Sequence, residues 1–506
     1  MRSNPTVQPC GTRRARTSDR CVGGREITAA TDAGRAPPLG LGAKVLYAVG
    51  GAAANLKHRA ISSFLVIFYN QVIGLPPQLV GGVLMVALVF DAILDPLVGQ
   101  ISDNLRSRWG RRHPFMLLSA APYAIAFFLL WNPPEGWSDG ALAIYLAICL
   151  FSVRFFDTFF EVPHQALAPE LVKGYDERTN LIALRQIFVL FGGAGMMVMA
   201  LQFFLKENAD GTGGVLARDG YFLYSMVGAL IIFAAIILST VGTAHRIPYL
   251  SAPPDRKITF RGMFSEVVAT LNNRAFIVVS LSGLFVAVAA GAQSGLDMYF
   301  GLYFWGLSQS QLAILATMSL TGGLTGVALA PVLGRTFGKK IGVLLASTMG
   351  LAVNVTPMSL RLLGIGPENE TTALALLLYC QEFTHATLAA ASGILTASLI
   401  ADVVEDAQVR TGRRSEGLLL SANTLVRKMV SGAGVFTATT ILAFSQFPDD
   451  AKRGQVPEAV LTKLGLAYIP TMVALYSIAI LFLLAYNIDR RKHDANLETL
   501  RSRGQH

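Results

Sequence analysis

The sequence predicts an all-α membrane protein of twelve transmembrane helices arranged as two six-helix bundles. Three observations carry that reading. The 506 residues are 53% hydrophobic and only 15% charged, with a mean hydropathy of +0.49, whereas a soluble chain carries about 25% charged residues. Apolar runs long enough to cross a bilayer, about 20 residues each, recur twelve times. Lysine and arginine crowd into alternate connections between those runs, a pattern that a wrong span count would scramble.

In order, the spans fall at 42–70, 79–101, 113–132, 140–166, 179–205, 220–244, 274–304, 309–333, 340–362, 371–400, 417–446 and 462–487. The first is interrupted by Lys57, His58 and Arg59. Three successive positions cannot share one helix face, so at least one of these side chains snorkels or marks an unusual helix. The second carries Asp91 and Asp95, and the fourth Arg154, Asp157, Thr158 and Glu161. Pro163 follows two residues after Glu161 and is expected to break the fourth helix there, freeing backbone carbonyls to line a cavity. Arg185 in span five and Lys428 in span eleven are cations on apolar helices; Asp297, Glu382 and His385 are polar points on spans seven and ten.

The connections set direction. Lysine and arginine in the two tails and the even-numbered connections outnumber those in the odd-numbered ones by roughly five to one, which predicts a multi-pass protein of the cell (inner) membrane with both termini cytoplasmic. The net charge of +10 would suggest nucleic acid in a soluble protein; between oily segments it suggests the bilayer instead. The sixth connection is the longest and most polar. It divides the chain into a basic tail (1–41), a first bundle (42–244), a cytoplasmic central loop (245–273), a second bundle (274–487) and a C-terminal tail (488–506). The halves echo each other: "GQISDNLRSRWGRR" follows span two where "GRTFGKK" follows span eight. Residues 1 to about 40 are arginine-rich without an apolar core. That excludes a secretory signal and suits a disordered tail, an over-extended start or an organelle transit peptide. The four cysteines form no CxxC or Cys/His cluster, so neither a zinc site nor a disulfide framework is expected.

Charge inside a bilayer costs several kcal/mol, about 2.5–3.5 on cautious scales, and persists where it works. Asp91 and Asp95 are four residues apart and share a helix face. Two adjacent carboxylates in low dielectric hold a proton between them or a cation across them; both describe a coupling-ion site. Arg154, Asp157 and Glu161 repeat at spacings of three and four with Thr158 beside them. They form either a self-contained ion pair with a spare acid or the other wall of that same site. Near the membrane edges, Asp103, Arg108, Arg111 and Arg112 after span two, Glu170 and Arg178 around the fourth connection, and Asp402, Arg413 and Glu416 around the tenth are candidates for ion pairs that brace one state of a two-state carrier.

The stretches "DAILDPLVGQISDNLRSRWGRRHP", "VPHQALAPEL", "YDERTNL", "DVVEDAQVRTGRRSEG" and "NTLVRKMVSGAG" resemble, in order and across both halves, the glycoside–pentoside–hexuronide:cation symporters, the melibiose-carrier branch of the major facilitators. The resemblance covers residues from about 44 to 487. It implies a fold of two repeated halves with the solute near the midplane, and a monomer. It makes Asp91 and Asp95 cation ligands with Thr158 supplying a hydroxyl. It places Asn55, Glu161, Arg185, Thr424 and Lys428 around the solute. Four positions depart from the family pattern. Leu94 stands where an amide ligand is expected, which removes an oxygen that sodium needs and a proton does not. Asn55 replaces a sugar-binding acid. Gln165 and Gly393 replace aromatic platforms, which puts simple galactosides in doubt.

The expected function is therefore a symporter driven by H⁺ or Na⁺, with no other cofactor, moving a sugar or glycoside by alternating access. An alternative on the same fold is a cation-coupled lysophospholipid carrier, since "YAVGGA" also resembles a vertebrate branch that moves such lipids. A receptor or scaffold without transport is a remoter possibility, because buried acids would be costly there. No P-loop, metal motif or Ser/His/Asp constellation points to an enzyme.

Overall fold

A computed structural model of the chain describes residues 39–172, 175–206, 214–250, 274–411, 432–448, 451 and 454–487. The described elements are helices, and all of them belong to the unit Gly40–His506. α1 (Leu41–Ala60) continues through two π-helical turns, Ile61–Leu65 and Phe68–Val72. α2 (Pro77–Asn104), α3 (His113–Leu130) and α4 (Asp139–Leu171) come next in the chain. α5 (Tyr175–Leu190) is prolonged by the π-turns Phe191–Gly195 and Ala200–Phe204 around Met196–Met199. Then come α6 (Asp219–Ala244), α7 (Arg274–Tyr299, with the π-turn Phe300–Phe304), α8 (Gln309–Thr336), α9 (Lys339–Leu362) and α10 (Thr372–Thr411). The shorter α11 (Gly432–Phe444) and α12 (Glu458–Leu484) complete the series.

Among the described residues, ten helices are long and apolar enough to cross a membrane. Of the other two predicted spans, α1 carries the Lys57–Arg59 triplet and α11 is described only from Gly432. Local chemistry sets several starts. Pro77 and Pro114 sit in the first turns of α2 and α3, where the missing N–H would lack an intrahelical partner anyway. Ser308 and Gln311 form a capping box on α8: the Ser308 N–H donates to Gln311 Oε1 at 2.8 Å and the Gln311 N–H to Ser308 Oγ at 3.3 Å. Gly338, at φ +83°, turns α8 into α9 in a conformation closed to residues with a Cβ.

The prediction that Pro163 breaks α4 is corrected. The helix runs through Pro163 and Pro169 to Leu171. A proline removes one backbone donor, and a helix surrounded by neighbours tolerates that loss.

Small residues set the closest packing. On α8, a Cβ added at Gly322 or Gly326 would stand 2.4 Å from Phe383 O or 2.3 Å from Thr387 O of α10. The two backbones touch where glycine recurs every four residues, the packing device of helices that gain nothing from hiding apolar surface in lipid. Gly192 on α5 plays the same part against Ala52 O of α1, at 2.3 Å. Within the first six helices, α1 packs on α5 and α6, α3 on α4 and α6, and α2 on α4; within the last six, α10 packs on α8 and α9, and α12 on α7 and α9. The outward surface is apolar: Leu118, Ile144, Ile148 and Phe203 are all largely exposed, as lipid contact requires.

The first six helices meet the last six where the π-turns lie. The turn Ile61–Leu65 contacts α7, and the far end of α5 contacts α8. At the end opposite the start of α1 and the close of α12, the Tyr299 hydroxyl donates to Asn70 Oδ1 (2.7 Å). Gln71 donates to Pro448 O (2.9 Å) and accepts from Ala451 N–H (3.1 Å) and the Tyr303 hydroxyl (3.3 Å). These contacts join the two halves at that end.

Candidate functional site

α4 is the hub. The stripe predicted on it does not pair internally; each member reaches a different helix. Arg154 donates to Asp91 Oδ2 on α2 at 3.1 Å. Asp157 pairs with Lys57 of α1 and accepts the Tyr123 hydroxyl from α3 at 2.9 Å. Glu161 pairs with Arg185 of α5 and takes Gln165 from its own helix. Of the two alternatives read from the sequence, the self-contained pair is therefore not what forms. Three ion pairs, with side chains at most 15% exposed, tie α1, α2 and α5 to α4. Each charge is held in the interior by a counter-charge, the arrangement low dielectric demands.

Asp91 and Asp95 face inward together. The Thr158 hydroxyl lies 3.1 Å from Asp91 Oδ1 and 3.1 Å from Asp95 Oδ1. Asp91 is 3% exposed and Asp95 is partly buried. Pro96 follows Asp95 inside the helix and removes the N–H that would bond the carbonyl one turn earlier.

A second feature is a cavity of about 470 Å³ between α1 and α5 on one side and α7, α8, α9, α10 and α12 on the other. Asn55, Asp297, Glu382 and His385 all line it. The Asn55 amide donates to Val189 O at 2.7 Å. Glu161 and Arg185, predicted to touch solute, are engaged with each other, and neither belongs to this cavity's wall. Of the charged triplet on α1, Lys57 is buried against Asp157, His58 is exposed and Arg59 lines the cavity. Thr424 and Lys428 lie outside the described residues. Arg59, Asn354, Trp305 and Tyr468 also line the cavity and were not expected there from the sequence. Asn354, a lone amide on an apolar helix, was the available signal; the two aromatics carried none, since neither stands where the family's platforms fall.

The loop charges behave unevenly. Arg111 and Arg112 both pair with Glu170, and Arg112 also holds Asp103 at 3.0 Å. This knot joins the end of α2, the start of α3 and the end of α4. Arg108 is corrected: it lies over the Trp109 ring, 5.8 Å from its centroid, and among the described residues it joins no ion pair. Its side chain leaves the helix end beside an aromatic face, which attracts a guanidinium without a carboxylate. Asp402 pairs with Lys339 at 2.5 Å. The Arg178 side chain and residues Arg413 and Glu416 lie outside the described residues. Among the described residues, no three acidic, histidine or cysteine side chains gather as a metal cage.

With this geometry in place, comparison with known proteins decides the family. The profile of the family described as MFS/sugar transport protein matches residues 46–490. The chain belongs to that family. It is a multi-pass membrane transporter of the major facilitator fold, not an enzyme, and the resemblance to the glycoside–pentoside–hexuronide:cation symporters holds. Among its relatives, the isoprimeverose transporter of Lactiplantibacillus pentosus is 24% identical, covering 88% of each chain. The sodium-dependent lysophosphatidylcholine symporter 1 of Gallus gallus is 26% identical over 91% of this chain and 89% of that one. Among solved structures, a bacterial homologue of the human lysosomal transporter Spinster, in an inward-facing and unoccupied conformation, superposes with a TM-score of 0.60 at 15% identity, over 91% of this chain and 97% of that one. That likeness is one of fold.

Proposed function

We propose that the protein is a cation-coupled symporter that moves a sugar or glycoside by alternating access, with residues 42–244 and 274–487 as the two rocking bodies. The family description supports the solute class, and the Thr158 contacts support the coupling. One hydroxyl carries one proton, yet Thr158 Oγ1 stands 3.1 Å from a carboxylate oxygen of each aspartate. The arrangement is complete when one carboxyl carries a proton and donates to the hydroxyl oxygen, or when a cation lies at these oxygens. Arg154 beside Asp91 adds one positive charge to the pair. Leu94, between them, adds no oxygen for sodium. That departure favours H⁺.

Ion binding at Asp95 lowers the charge in the α2–α4 interface, which permits the halves to rock once solute fills the cavity. The basic connections support cytoplasmic termini; the end joined by Asn70, Gln71, Tyr299 and Tyr303 then faces outward, which corresponds to an inward-facing state in the cell (inner) membrane.

A lysophospholipid or similar amphiphile is the second reading. The chicken relative is a lysophosphatidylcholine symporter, and one side of the cavity, from α5 and α8, is apolar: Leu190, Met197, Leu312 and Leu315. Uptake into vesicles across glycosides and lysolipids, under imposed proton or sodium gradients, tests both. Glycoside accumulation driven by the proton gradient supports the proposal. Accumulation of lysolipid alone supports the second reading, and accumulation that follows sodium alone removes the proton assignment.

A further inference from the structure

The cavity has a polar side that the Asp91, Asp95 and Thr158 site does not use. Asp297 on α7 and Glu382 on α10 both line it. Asp297 lies deep along its helix yet is exposed, and what it is exposed to is the cavity. Among the described residues, neither carboxyl has a hydrogen-bond or ion-pair partner. His385, one turn from Glu382, is 8% exposed, lines the same cavity and forms no hydrogen bond among the described residues. An imidazole nine-tenths buried and two carboxyls without a partner among the described residues thus face the cavity together. Native interiors leave few such groups, and in binding sites the ligand supplies the missing partners. Among the described residues the cavity wall also holds one cation, Arg59, and the amide of Asn354, whose oxygen is taken by the Tyr468 hydroxyl at 3.0 Å, leaving its N–H₂ to donate. The other wall, from α5 and α8, is apolar.

We propose that Asp297 and Glu382, with His385, are the solute-reading groups of this cavity. They select a glycoside with an apolar aglycone whose sugar is neutral or amine-bearing, and reject one bearing a carboxylate. The two carboxyls accept hydroxyl or ammonium protons, His385 and Asn354 supply hydrogen bonds to ring oxygens and hydroxyls, and the aglycone lies along α5 and α8. Among the described residues, two acids facing one arginine give the wall a negative balance. A uronide would set a third carboxylate against the pair, whereas an ammonium would complete it; such like-charge juxtaposition is a strong device of specificity.

The inference rests on the sugar-symporter reading, and its test separates the two. Purified protein in detergent is titrated with three aryl glycosides of one sugar: the neutral glycoside, its amino-sugar analogue and its uronide. Binding is read from the shift in thermal unfolding. The expected order is amino-sugar at least tenfold tighter than uronide, with the neutral compound between. Glu382→Gln and Asp297→Asn should each cut that ratio at least threefold, and the double variant should bring it near one. Glu458→Gln, at an exposed acid that lines no part of the cavity, should leave the ratio unchanged. Variants that elute as a single species with unfolding temperatures near the parent's exclude misfolding; if Asp297→Asn misfolds, Glu382→Gln alone decides. Binding of all three with equal affinity overturns the inference and spares the symporter reading. Binding of none overturns the sugar reading and the inference with it.

Discussion

Gln71 is the joint on which the closed end depends. Its side chain makes three hydrogen bonds to the second half: to Pro448 O at 2.9 Å, from Ala451 N–H at 3.1 Å and from the Tyr303 hydroxyl at 3.3 Å. An intramolecular hydrogen bond is worth about 0.5–1.5 kcal/mol net, so the three together contribute about 1.5–4.5 kcal/mol. Gln71 is only half-buried, and water replaces part of what is lost, so about 2 kcal/mol is the working figure. Since each 1.4 kcal/mol is tenfold, Gln71→Ala should raise the ratio of open to closed at that end by roughly thirtyfold. The assay places a cysteine at Ser294, on the cavity wall, in a background lacking Cys10, Cys21, Cys149 and Cys380. It then follows alkylation by a membrane-impermeant thiol reagent added from the side opposite the termini. Alkylation should speed up by an order of magnitude or more in Gln71→Ala, and by less in Tyr299→Phe, which removes one hydrogen bond. An unchanged rate in both would refute the idea that these contacts hold the end shut.

Two more predictions concern stability. Asp157→Asn leaves Lys57 buried without its counter-charge and should destabilise the protein by about 3–5 kcal/mol, read as earlier thermal unfolding; adding Lys57→Met should recover most of the loss, and failure to recover would show that the pair is not what orients α1 against α4. Gly326→Ala puts a Cβ 2.3 Å from Thr387 O and should cost about 1–3 kcal/mol by forcing α8 off α10, whereas Gly323→Ala, with nothing within 4 Å, should be neutral; equal effects would contradict the close approach.

Much of this was legible in one dimension because the membrane makes it so. A bilayer imposes long apolar runs and sorts the basic loops, so most of the described helices could be read within a few residues; α10 runs to Thr411, past the expected end at 400. The pairing of Asp91 with Asp95 was legible from helical spacing, and Thr158 as their neighbour from the family likeness. What could not be read is which helix a charge reaches across. Arg154, Asp157 and Glu161 look like one stripe in sequence, and only the packing of α1, α2 and α5 around α4 shows three separate pairs. The π-turns of α1, α5 and α7 were equally silent, since a one-residue widening leaves no compositional mark. The course of α4 through Pro163 was misjudged because tolerance of a proline depends on neighbours, not on the proline.

The most direct test of the coupling mechanism is uphill uptake by Asp95→Asn in membrane vesicles under an imposed proton gradient, with insertion verified. Removing the proposed ion-binding carboxyl should abolish accumulation above equilibrium while facilitated entry of solute down its own gradient persists. Accumulation at the parent's level would mean that the driving ion binds elsewhere.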